Sequence, residues 1–164
     1  MTPNEWDRAV EEIGPRLFRY FRFKGAGSQA ADLTQDTFVR VIQKLHTFDP
    51  LKGTLLSFSI GVASYIFLES RKKLAPTPGE MPDTTDENLF AEQLEKLNEA
   101  ERLKRLVKTL PPVLQDTLYF YYDEELTTRE IGKILHLPEG TIKSHLFRAR
   151  ESLREMMQTE SRSQ

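Results

Sequence analysis

The sequence predicts an all-α fold of two small helical domains joined by a flexible linker. Three observations carry that expectation. Apolar residues recur at three- and four-residue spacing in every segment long enough to form an element. A Pro-rich stretch, LAPTPGEMPDTTD at 74–86, has almost no apolar residue and cannot hold regular structure. The last part of the chain places a capping signal, a short turn and a basic amphipathic run in the order of a helix-turn-helix. The domains are therefore set at 1–73 and 87–164, with the linker at 74–86.

The first helix is predicted from Trp6, Val10, Ile13, Leu17, Phe18 and Phe21 on one face, with Pro15 expected to interrupt or kink it. KGAGS, from Lys24 to Ser28, separates it from a second helix carrying Leu33, Phe38, Val41, Ile42 and Leu45. HTFDPLKGT, His46 to Thr54, combines Asp49, Pro50 and Gly53 and reads as a loop. Leu55 to Lys73 is an apolar segment ending in Arg71, Lys72 and Lys73, cations that suit the negative end of a helix dipole.

Beyond the linker, Asp86 can cap a helix reaching to about Leu110, with Leu89, Leu94, Leu97, Leu103, Leu106, Val107 and Leu110 on or near one face. Pro111 and Pro112 stop it. A short helix from Pro112 to Tyr122 presents Leu114 and Leu118, and Asp123 to Glu125 mark a turn. Tyr119, Phe120, Tyr121 and Tyr122 are expected as core and rim aromatics.

Bulk properties narrow the classes. Of 164 residues, 38% are hydrophobic and 29% charged, the balance of a packed, soluble chain. The absence of cysteine removes disulfides and thiolate metal sites and fits a reducing, cytoplasmic setting. No signal sequence or stretch of membrane-spanning length is visible, so no membrane insertion is expected. The formal net charge of -2 hides a segregation: 11 basic against 8 acidic residues over 1–75, 3 against 8 over 76–104, and 9 against 9 over 105–164. Within the last block, Lys143, Arg148, Arg150 and Arg154 face Glu151 alone over 141–154. Only His46, His136 and His145 occur, with no Gly-rich phosphate loop, no HExxH and no recognisable nucleophile. Neither an enzyme nor a cofactor or metal site is predicted.

Thr127 to Arg154 carries the most specific signal. Thr127 and Glu130 form a capping box; Ile131, Ile134 and Leu135 point inward, and Gly132 permits a close helix crossing. HLPEG, His136 to Gly140, supplies the turn, with Pro138 suited to a first helical position. The next helix has Ile142, Leu146, Ala149 and Leu153 on one stripe. Its other face offers Thr141, Lys143, Ser144, His145, Phe147 and Arg148, able to bond base edges, neutralise phosphate and touch a thymine methyl in the major groove. A solvated helix face in an ordinary bundle would carry similar charges. A stand-alone dimeric regulator is a further alternative on these residues.

Leu110 to Leu153, LPPVLQDTLYFYYDEELTTREIGKILHLPEGTIKSHLFRARESL, resembles region 4 of bacterial sigma factors. ADLTQDTFVRVIQKLHTFDPLKGT, Ala31 to Thr54, is similar to region 2, and the chain lacks regions 1.1 and 3, as in the extracytoplasmic function (ECF) group of the sigma-70 family. The resemblance implies a sigma factor that binds core RNA polymerase through the β′ clamp and the β flap and directs it to promoter DNA. It implies that region 4 reads the minus-35 element and region 2 the melted minus-10 element, and that a controlling anti-sigma factor exists. Asp32, Gln35, Asp36, Arg40 and Gln43 resemble the polymerase-docking edge. The loop from Thr47 to Leu55 matches the segment that captures an extruded base, with Phe48 and Lys52 as contributors.

The third helix departs from its relatives. Phe58 stands where Trp is usual, Leu56 and Gly61 where Arg is frequent, Ser64 and Tyr65 for an Arg-Asn pair, and Glu69 for an Asp. Tyr65 is expected to stack on a base, and Arg71, Lys72 and Lys73 to contact phosphates. A sigma-like chain that has lost promoter opening and acts by sequestration is the reading this departure leaves open.

Overall fold

The computed structural model describes residues 1–73 and 99–162. The linker at 74–86, the cap at Asp86, and Leu89, Leu94 and Leu97 lie outside the described residues. Among those described there is no strand. The chain divides into two compact units, residues 1–75 with 129–138, and 76–128 with 139–164.

In the first unit three helices pack pairwise: α1 (Pro3–Phe23), α2 (Ala30–Lys44) and α3 (Leu55–Lys73). A reciprocal capping box opens α1. The Thr2 amide donates to Glu5 Oε2 at 2.7 Å and the Glu5 amide to Thr2 Oγ1 at 3.3 Å. The Thr2 amide first, and its hydroxyl second, hold the Glu5 carboxyl below its ordinary pKa. Of the two outcomes expected for Pro15, interruption does not occur: α1 runs through it. Pro15 and Glu11, the residue four before it, are both exposed, so the carbonyl that loses its amide partner is on the wet side of the helix.

The buried face of α1 is Ile13, Leu17, Tyr20 and Phe21, and that of α2 is Ala30, Leu33, Thr37 and Val41. Phe18 and Ile42, expected inside, are exposed. Spacing of four residues, 13–17–21 and 33–37–41, fixes the inward stripe, and positions 18 and 42 lie about 100° away from it. Thr37 takes a core position because its hydroxyl donates to the Leu33 carbonyl at 2.7 Å, leaving a methyl to pack. Trp6 and Phe38 meet edge to face at 6.1 Å between α1 and α2.

Between α1 and α2, Gly25 (φ 86°) turns the chain after the Lys24 cap. Between α2 and α3 the expected loop is present. The Asp49 carboxylate accepts from the Leu51 amide at 2.9 Å, and the Thr54 hydroxyl accepts from the Ser57 amide at 3.1 Å, capping the first turn of α3.

The second unit contains α4 (Glu99–Lys108), α5 (Pro112–Leu118) and α7 (Glu139–Arg162). Its core is Leu106, Leu110, Leu114, Leu118, Leu146, Ala149 and Leu153, with Val107, Tyr121 and Met156 against it. Burying each such Leu contributes roughly 1.5–3 kcal/mol. Gln115 Nε2 donates to the carbonyls of Lys108 (3.1 Å) and Leu110 (2.7 Å), satisfying the end of α4 where Pro111 and Pro112 cannot continue it. Arg105 and Glu160, at 2.5 Å, tie α4 to the far end of α7. α5 leads into a π-helical turn, Tyr119–Asp123, closed by the Glu124 amide on the Tyr119 carbonyl. Tyr119 and Phe120 are buried while Tyr122 is exposed, the expected division into core and rim.

α6 (Thr128–Leu135) buries Ile131, Gly132 and Ile134. Thr127 precedes its first residue and Glu130 lies in its first turn, the placement of a capping box. It ends in a Schellman turn: His136 is left-handed (φ 55°), and the Leu137 amide reaches back to the Gly132 carbonyl at 2.9 Å. α7 starts at Glu139, so Pro138 stands just before the helix, one residue earlier than expected.

Candidate nucleic-acid interface

α7 is held by the stripe predicted for it. Ile142, Leu146, Ala149 and Leu153 are all buried. A residue 100° or more around the helix from that stripe must face outward, and Lys143, Ser144, Phe147 and Arg148 are exposed. Phe147 retains 65% of its surface. A large ring left in water adds nothing to the fold, which makes it the most telling residue of the face. Thr141 and His145 are half-buried flankers, and His145 Nδ1 is shielded from solvent with no hydrogen-bond partner among the described residues. Lys143 lies 3.8 Å from Glu139, an exposed i,i+4 pair weak enough to exchange for a phosphate. The Thr128 hydroxyl donates to Glu139 Oε1 at 2.8 Å, linking the first residue of α6 to that of α7.

Arg150, counted only as bulk charge in the sequence, is fixed by aromatic neighbours. Its Nε donates to the Tyr122 hydroxyl at 2.7 Å and its guanidinium lies 5.6 Å from the ring centres of both Tyr121 and Tyr122. A run of adjacent tyrosines just before the turn is the one signal that could have suggested this.

In the first unit, Asp32, Gln35, Asp36 and Gln43 form an exposed polar edge on α2. Val39 and Ile42, 55% and 53% exposed, lie among them, so the edge is a mixed apolar and acidic surface. Arg40 is turned away from that edge toward α3 and pairs with Glu69 at 3.7 Å.

The loop and α3 bring the aromatic candidates together. Phe48 and Phe58 pack with ring centres 5.4 Å apart, fixing the loop on the helix. Tyr65 is 53% exposed, with Lys44 Nζ 5.7 Å from its ring centre. Lys52, Lys72 and Lys73 are exposed. Arg71 donates to the carbonyls of Lys24 (3.3 Å) and Gly25 (3.4 Å) and stacks on Phe67 at 4.9 Å, closing the end of α1. Lys44 escaped the sequence reading because its significance depends on Tyr65, 21 residues away. Among the described residues there is no cluster that could hold a metal ion and no helix long and apolar enough to cross a membrane.

The arrangement is that of the sigma-70 family: the family model for sigma-70 region 2 matches residues 9–76, and that for region 4 matches 100–153. The chain is 30% identical over 164 residues to the ECF RNA polymerase sigma factor RpoE of Cereibacter sphaeroides, covering 92% of this chain and 90% of that one. It is 27% identical over 159 residues to the ECF sigma factor SigE of Mycolicibacterium smegmatis, where it covers 93% of this chain but spans only 61% of the relative. The chain therefore belongs to the ECF RNA polymerase sigma factors. In fold it is similar to the sigma factor RpoE of Bartonella quintana, solved in complex with the anti-sigma factor NepR (TM-score 0.70, 16% identity, 94% of this chain and 97% of that one). It is likewise similar to CnrH, solved in complex with the cytosolic domain of CnrY (TM-score 0.68, 17% identity, 96% and 90%).

Proposed function

We propose that this chain binds core RNA polymerase in the bacterial cytoplasm and directs promoter-specific transcription initiation, with no catalytic activity of its own. The observation that carries the proposal is the outward face of α7, where Lys143, Ser144, Phe147 and Arg148 stand opposite a fully buried stripe on the same helix. Placed in the major groove of minus-35 DNA, Ser144 and Arg148 reach base edges, Phe147 meets a thymine methyl, and Lys143 takes a phosphate, with Thr141 and His145 at the margins.

The first unit supplies the other contacts. The edge of Asp32, Gln35, Asp36 and Gln43, with Val39 and Ile42 between them, docks on the β′ clamp, and Arg40 braces it through Glu69. The β flap takes the region 4 unit. Phe48, Lys52, Phe58 and Tyr65 hold unpaired minus-10 DNA, and Lys72 and Lys73 contact phosphates beside Arg71. One fold relative is seen with an anti-sigma factor, and an anti-sigma factor is the controller proposed here.

Run-off transcription with bacterial core polymerase and a selected promoter library tests the reading. Transcripts that depend on this chain are expected, starting at a fixed distance from a shared upstream motif. No transcript from any template sinks it, and binding to a palindrome by a dimer without polymerase would replace it with a stand-alone regulator.

A further inference from the structure

Glu139 is the first residue of α7 and stands in one column, at four-residue spacing, with Lys143 and Phe147 of the outward face. Phosphate repels a carboxylate, so Glu139 weakens the contact of this surface with DNA unless a donor in the groove engages it. Two groups address the same oxygen: the Thr128 hydroxyl donates to Oε1 at 2.8 Å, and the Lys143 ammonium lies 3.8 Å from it. Oε2 has no partner among the described residues, and 47% of the side chain is exposed. The Lys143 contact is loose and can pass to a phosphate, whereas the Thr128 bond comes from the first turn of α6 and anchors the carboxylate a second time. Gly140 follows. A Cβ built on it meets nothing within 4 Å, so the helix surface beside the carboxylate is bare and another molecule can come close.

In a helix-turn-helix the N-terminal residues of the second helix are the ones set against base edges. An ionised carboxylate accepts hydrogen bonds and cannot donate them. In the major groove, guanine and thymine show it only acceptors, and adenine pairs its amino group with an N7 acceptor that repels it. Cytosine shows the N4 amino group alone. We propose that Glu139 is a specificity-determining residue for the upstream element: its Oε2 accepts from N4 of one cytosine, Thr128 holds Oε1, and Lys143 moves to a neighbouring phosphate. Thr128 is then a positioning residue, acting through Glu139. The proposal rests on the reading of α7 as the helix in the minus-35 groove and goes further by assigning a base to a residue outside the basic face.

The test uses the full chain with bacterial core polymerase and a promoter selected from a random library by the wild-type complex. Each base pair of the upstream element is replaced by the other three in turn, and affinity is measured for wild type, Glu139→Gln, Glu139→Ala and Thr128→Val. In wild type one position should prefer cytosine by about tenfold, within the range of one good base-edge contact. Glu139→Gln keeps an acceptor for Thr128 and adds a donor for N7, so the preference there should move to adenine with the other positions unchanged. Glu139→Ala should lose the preference at that position while binding unselected DNA no more weakly than wild type, since a negative charge is gone. Thr128→Val keeps the shape of the side chain without the hydroxyl and should blunt the cytosine preference at the same position alone. The Tm of Glu139→Gln should fall by less than about 4–8 °C, the scale of a single charge at a helix start, which separates base reading from misfolding. A Glu139→Gln base profile identical to wild type, or one weakened equally at every position, overturns the assignment while leaving promoter binding intact, as does a wild-type element with no position that prefers cytosine. Absence of any upstream base preference in the wild-type complex overturns the minus-35 reading as well.

Discussion

Arg71 distinguishes a cation that builds the fold from one that binds DNA. Its guanidinium donates to the carbonyls of Lys24 and Gly25 at 3.3 and 3.4 Å and lies 4.9 Å from the Phe67 ring centre. The stack at an exposed site is worth about 0.5–1 kcal/mol. The two hydrogen bonds are at the long limit and solvent-screened, adding about 0.5 kcal/mol together. Arg71→Ala should therefore cost about 1 kcal/mol and lower Tm by about 4–8 °C for a unit of this size. Arg71→Lys keeps the charge but cannot fork onto two carbonyls or stack as a plane, and should recover only part of the loss. The assay is thermal unfolding by circular dichroism alongside affinity of the polymerase complex for promoter DNA across a salt series. A free phosphate ligand would show the reverse pattern, with Tm unchanged and the logarithmic salt slope smaller by about 0.9. That result would refute the structural role.

Leu146 is 4% exposed within the core of the second unit, so Leu146→Ala should lose about 2–5 kcal/mol in urea unfolding; a loss under about 1 kcal/mol would mean that the core collapses around it. Phe147, one residue on, should behave oppositely. Phe147→Ala should leave stability within about 0.5 kcal/mol while weakening minus-35 binding, and unchanged binding to every upstream sequence would remove it from the reading face. His136 holds a left-handed conformation that disfavours side chains, so His136→Gly should raise stability by up to about 1 kcal/mol in the same unfolding assay. A decrease would show that the imidazole has a stabilising partner of its own.

Much of the fold was legible because it follows from period alone. Leu55–Lys73 and the buried stripe of α7 emerge where the sequence places them, since a helix with one apolar face has one way to bury it. Period failed at Phe18, Ile42 and Thr37, where hydrophobicity and register disagree and register decides. Whether Pro15 would interrupt α1 was not legible for a different reason: the cost of a helix proline depends on whether water can reach the orphaned carbonyl, and a sequence does not say which side is wet. For the candidate site, the types of residue were readable and their partners were not. Lys44 and Tyr65, Arg150 and Tyr122, and Arg40 and Glu69 are pairs made by packing, separated by 21, 28 and 29 residues, beyond the reach of any local pattern.

Those pairs bear on how charge in such a chain should be interpreted. Arg40, Arg71, Arg105, Arg150 and Arg154 each have a protein partner: a carboxylate for three of them, main-chain carbonyls for Arg71, a tyrosine hydroxyl for Arg150. These arginines suit their partners, because a planar fork with five donors meets fixed acceptors well. Lys52, Lys72, Lys73 and Lys143 are all exposed, and the one ion pair described for them, Lys143 with Glu139, is weak. The salt slope of DNA binding should therefore follow the exposed lysines and Arg148 more than the total of basic residues. A chain of net charge -2 can bind a polyanion where exposed cations gather on one face, because the local charge and not the total sets the field there.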